Sequence, residues 1–85
     1  MEFTVYILYS AQIDTYYVGF TGDSMEERLR KHTSNHKGFT AKAKDWKVVY
    51  SEHFLTKQEA SHRERAIKSK KSRTYIVQLV QSIPT

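Results

Sequence analysis

Residues Phe3 to Tyr9 alternate without a break: Phe3, Val5, Ile7 and Tyr9 point one way, and Thr4, Tyr6 and Leu8 the other. A period of two is the mark of a strand with two different faces. A second run, Tyr16 to Thr21, is rich in aromatic and β-branched residues and follows the short polar link Ser10 to Thr15. The chain is therefore expected to open with a hairpin, although no Asn-Gly turn marks it. Tyr6 and Tyr17 fall on the face opposite the larger hydrophobic set, side by side if the register allows. Gly19 shares Tyr17's face and leaves room for a backbone or ligand to approach. Tyrosine is also simply a good strand residue.

Gly22-Asp23 closes the second strand. Ser24-Met25-Glu26-Glu27 fits a capping box and predicts a helix from about Met25 to Thr33, with Met25 and Leu29 as its buried stripe. Asn35 to Asp45 has a glycine and little periodicity, as a loop does. Trp46 to Phe54 reads as a third strand with Trp46, Val48 and Tyr50 on one face. Thr56-Lys57-Gln58-Glu59 is a second capping box, opening a helix to about Ser69, and a last helix over Ser72 to Ser82 carries Tyr75, Ile76, Leu79 and Val80 as its apolar side. The order β-β-α-β-α-α predicts an α+β fold, a small three-stranded antiparallel sheet flanked by helices, in a single domain spanning residues 1–85.

Eighty-five residues bury only one modest core. The absence of cysteine excludes disulfides and thiolate metal sites. No apolar run approaches the roughly 20 residues that span a bilayer, and no signal peptide is evident. A cytoplasmic chain with no membrane partner is expected. Fourteen Lys and Arg stand against nine Asp and Glu, a net charge of +5. The excess is grouped: Lys37, Lys42 and Lys44 in the middle, Lys68, Lys70, Lys71 and Arg73 late. Grouped positive charge suits a polyanion through counterion release from phosphate, and it equally describes a solubilising surface.

Three side chains stand out for chemistry. Arg28 and His32 are four residues apart and project together from the edge of their helix stripe. Taken alone they read as a snorkelling Arg and a half-buried His; placed beside a phosphate, the Arg would offer a rigid fork. Glu64 falls on the same side of its helix as Ala60 and Ile67, where a carboxylate is costly unless paired or bound to a metal. A salt bridge, for instance with Arg28, and a ligand for one hard divalent cation are both open.

In these residues the chain resembles the GIY-YIG nuclease superfamily, in particular its small stand-alone bacterial members. The resemblance covers nearly all of residues 3 to 80. Thr4-Val5-Tyr6 stands at the first motif, with Thr4 in place of glycine. Tyr17-Val18-Gly19 stands at the second, Arg28 at the helix arginine, His32 at the His or Tyr one turn later, and Glu64 at the metal-binding glutamate. The superfamily also includes the N-terminal nuclease domain of the excision-repair incision subunit. The chain departs from many members in lacking an asparagine after the glutamate, its only asparagine being Asn35. It also has Phe20 where excision-repair relatives carry lysine.

What the resemblance implies is hydrolysis of DNA phosphodiester bonds at a single Mg²⁺ or Mn²⁺ held by Glu64, with Tyr6, Tyr17, Arg28 and His32 as the other catalytic residues. DNA, branched or duplex, is the expected partner, met through Lys37, Lys42, Lys44, Lys68, Lys70, Lys71 and Arg73. A homodimer or a targeting protein would select the substrate. The alternative is a weakly active or inactive nucleic-acid-binding module of the same fold.

Overall fold

A computed structural model describes residues 2–22, 24, 27 and 43–82. The expected helix of about Met25 to Thr33, with Arg28 and His32, lies outside the described residues, as do Lys37 and Lys42. One hydrogen bond of its capping box is described: the Glu27 N–H donates to Ser24 Oγ at 3.2 Å.

The alternation at the N-terminus builds strand β1, Phe3–Ser10, and the second run builds β2, Thr15–Thr21. They form an antiparallel hairpin in which Ser10 faces Thr15 and Val5 faces Phe20. Strand β3, Lys47–Phe54, pairs antiparallel with the other side of β1, so the sheet order is β2-β1-β3. As the central strand, β1 is the most buried: Val5, Tyr6, Ile7 and Leu8 are all fully inaccessible.

Each face of the sheet carries its own apolar layer. Phe3, Val5, Ile7 and Val18 face the helices, and Tyr6, Leu8, Ala43 and Trp46 pack on the other side, joined by Ile13 and Tyr17. The third strand departs from its expected single face. Ile7 pairs with Tyr50 but Leu8 with Val48, so Val49 is an extra residue in a β-bulge. The bulge flips the phase of the strand. Trp46 consequently packs with Tyr6 and Leu8, while Tyr50 joins the helix-covered layer.

Helix α1, Lys57–Ser69, starts where its capping box predicts: Thr56 Oγ1 accepts from the Glu59 N–H at 3.2 Å. Ala60 and Ile67, seven residues apart on one stripe, are its buried residues. Three residues, Lys70 to Ser72, with Lys71 at φ 48°, then lead into helix α2, Arg73–Gln81, capped by Ser72. Tyr75, Ile76, Leu79 and Val80 pack against the helix-covered core, as their spacing predicts. The α+β class and the three-stranded antiparallel sheet are thus what the sequence pattern led us to expect.

Two carboxylates pin the turn between β1 and β2. Asp45 accepts from Ser10 Oγ at 2.5 Å and from the Gln12 N–H at 2.8 Å. The Ser10 hydroxyl, helped by backbone N–H groups, holds the Asp45 carboxyl below the usual carboxylate range. Asp14, at φ 50°, accepts from Tyr9 Oη and from Arg73 Nη2, each at 2.6 Å.

Candidate active site

Register places the two phenols on one face. Tyr6 pairs with Gly19, and Leu8 pairs with Tyr17, so Tyr17 sits diagonally beside Tyr6. A methyl group at Gly19 would meet Tyr6 Oη at 2.5 Å, Tyr6 Cζ at 2.8 Å and Tyr17 Cε1 at 3.2 Å. The space above Gly19, expected to admit a ligand, is therefore filled by the Tyr6 ring. The glycine lets the two rings share one site. Tyr17, only half-buried, meets Trp46 edge-on with centroids 6.4 Å apart.

Helix α1 brings Glu64 to this place. Its side chain is 17% exposed at the margin of the Ala60–Ile67 stripe. It pairs with Lys68, one turn on, with Nζ 3.6 Å from Oε1. The same Nζ lies 5.8 Å from the centroid of the Tyr17 ring. One ammonium group therefore spans the carboxylate on the helix and the phenol on β2. Of the five expected catalytic residues, Tyr6 and Tyr17 share a face, Glu64 is linked to Tyr17 through Lys68, and Arg28 and His32 lie outside the described residues.

Among the described residues no group of three His, Cys, Asp or Glu is placed to hold a metal. A single carboxylate on the margin of the core still fits a hard cation of the Mg²⁺ kind, which commonly takes one or two protein carboxylates and fills its shell with water and substrate phosphate. Glu64 meets that description, with the Lys68 ammonium paired to it.

The expected nucleic-acid contacts differ in what already occupies them. Lys44, Lys68, Lys70 and Lys71 are exposed. Lys70 Nζ sits 5.6 Å from the Tyr75 centroid. Arg73 is engaged within the protein. It donates to the Asp14 carboxylate and carbonyl, the latter at 2.9 Å, and covers the Tyr16 ring at 5.3 Å. The Asp14 hydrogen bond pushes the Arg73 guanidinium above its ordinary range.

One polar cluster was not anticipated. Glu52 receives Arg63 through Nε at 3.1–3.2 Å and Nη2 at 3.0 Å, and the Tyr50 hydroxyl also donates to it. Burial pushes the Glu52 carboxyl up, but the Arg63 and Tyr50 hydrogen bonds outweigh burial and leave it below its usual range. The signal was available: Tyr50, Glu52 and Phe54 alternate inward on a strand, and an inward carboxylate demands a partner. The cluster fastens β3 to the same helix that carries Glu64.

Residues 2–76 match the family model described as the GIY-YIG catalytic domain. No curated protein matches the chain significantly. Among solved structures, the chain is similar to the UPF0213 protein BH0048 from Bacillus halodurans, determined by solution NMR. The TM-score is 0.60 at 29% identity, over 95% of this chain and 84% of that one.

Proposed function

The chain belongs to the GIY-YIG nuclease family, and from that premise we propose that it is a metal-dependent DNA endonuclease. The observation that carries the reading is the Lys68 bridge, which joins Glu64 of α1 to Tyr17 of β2 beside the Tyr6–Gly19 pair. Residues distant in the chain, from three elements, are thus linked through Lys68 and the Tyr6–Gly19 contact.

In this reading Glu64 holds a single Mg²⁺ or Mn²⁺, which when bound polarises the scissile phosphate as a Lewis acid. Tyr17, half-buried, orients the attacking water, with Tyr6 behind it as support. A free phenol is protonated at neutral pH and does not take up a further proton, so Tyr17 orients the water through its hydroxyl oxygen and the proton that the water loses passes to solvent. Arg28 neutralises the phosphate oxygens in the transition state, and His32 hydrogen-bonds nearby. Lys68 adds positive charge at the same point. Lys44, Lys70 and Lys71, with Lys37 and Lys42, meet the DNA backbone without reading sequence. Structure-selective or nonspecific cleavage follows, on duplex or branched DNA, with a second copy or a targeting protein choosing the site. A role in DNA repair in the cytoplasm is consistent with such chemistry. No helix among the described residues is long and apolar enough to cross a membrane.

The second reading is a binding module of the same fold, favoured by the missing asparagine. Cleavage of duplex and branched DNA with and without Mn²⁺ separates the two. Glu64→Ala and Arg28→Ala are expected to lower the rate by roughly two to three orders of magnitude, with unchanged circular dichroism. If both variants cut as fast as wild type, the site is misassigned.

A further inference from the structure

A cavity of about 500 Å³ lies against the outer side of β2, between that strand and the junction of α1 with α2. That is within the range of roughly 300–1,000 Å³ that takes a small organic ligand. Its lining divides by chemistry. Val18, Ile67 and Ile76 make an aliphatic surface, and Tyr16 and Tyr17 line the strand side. Lys68, Lys71 and Arg73 supply the cations. The one carboxylate, Asp14, is already taken by Tyr9 and Arg73. Tyr17 and Lys68 belong equally to the candidate active site, so cavity and site are continuous.

The backbone is unusual at the same place. Among the described residues, Asp14 at φ 50° and Lys71 at φ 48° are the non-glycine positions with positive φ, and both line this cavity. Such conformations persist where surrounding structure over-determines them, often around ligand sites.

We propose that this cavity receives the base of an unpaired nucleotide next to the phosphate that lies at Tyr17 and Glu64. A phosphate alone gains nothing from an aliphatic surface, whereas a nucleobase does. Lys71 is then placed for the neighbouring phosphate. A stacked duplex keeps its bases inside and offers this cavity only its backbone; a single strand can turn a base out and in. The inference deepens the nuclease reading and rests on it for the position of the phosphate. It names the substrate as DNA with an unpaired nucleotide.

The test uses the full chain in EDTA, so that binding is read without cleavage. The probe is a short oligonucleotide carrying 2-aminopurine, as a single strand and in a duplex at equal salt. The single strand is expected to bind about tenfold more tightly, with a change in 2-aminopurine fluorescence. Thr15→Tyr, which fills the cavity, is expected to remove the preference and leave duplex binding unchanged. Should Thr15→Tyr misfold by circular dichroism, Lys71→Asn decides instead, because asparagine tolerates positive φ while the ammonium is lost. It is expected to weaken single-strand binding more than duplex binding. Equal binding of both probes by wild type, or a preference that survives these variants, overturns the proposal. A separate Mn²⁺ cleavage assay keeps the two readings apart. Preference without cleavage retains the base site and sinks the nuclease; cleavage without preference does the reverse.

Discussion

Gly19 sets the geometry of the two phenols. The Tyr6 ring is fully buried and occupies the place of a side chain at position 19. Gly19→Ala forces a carbon to within 2.8 Å of Tyr6 Cζ unless the ring shifts. Overpacking of this kind costs typically about 1–3 kcal/mol. Chemical denaturation is expected to show that loss, and cleavage to fall further than stability does, since Tyr6 and Tyr17 move together. A variant with wild-type stability and rate would mean that the ring has room to spare. Tyr6 and Gly19 could be read from the sequence because the period of two assigns both to one face. The contact between them could not, because it depends on the register across the hairpin. Lys68 was hidden for a related reason. Read along the chain it is one lysine of a basic run, and only the packing of α1 on β2 shows that it sits between a carboxylate and a phenol.

At the level of elements, the Glu52–Arg63 pair couples β3 to α1. Both side chains are less than a third exposed. Glu52→Ala leaves a guanidinium without its acceptor and is expected to destabilise the fold by about 2 kcal/mol, measured by urea unfolding. The same pair gives an acid limit. Glu52, Asp14 and Asp45 all titrate below their ordinary range in the folded chain. Each then binds fewer protons folded than unfolded in the acid range, so the stability it contributes is present above the unfolded value and lost as pH falls through the folded one. The melting temperature is expected to be level near neutrality and to drop below roughly pH 4. Glu52→Gln is expected to make that drop shallower; an unchanged profile would show that Glu52 has no part in it. Helix starts were legible because Thr56 and Ser72 satisfy N–H groups locally. The β3 bulge was not, since nothing in Lys47 to Phe54 announces that Val49 will be skipped by its neighbour.

For the whole molecule, the net charge of +5 predicts salt-dependent DNA binding. Each phosphate neutralised lowers log K by about 0.9 per unit of log salt on duplex DNA. Replacing Lys70 or Lys71 by Ala is expected to lessen that slope by about one, read from titrations at several salt concentrations; an unaltered slope would remove that lysine from the contact surface. Arg73→Ala is expected to act differently, through loss of its Asp14 tie. The bulge at Val49 has a consequence of its own. One short ribbon supplies two separate interiors because its odd and even positions exchange duties midway. Adding or deleting a single residue on either side of Val49 would turn half of β3 inside out. Deleting Val49 itself would instead leave Trp46 and Tyr50 on their present opposite sides, because it removes the extra residue without shifting the alternation of the rest. A single-residue change in this strand is therefore tolerable only at the bulge itself.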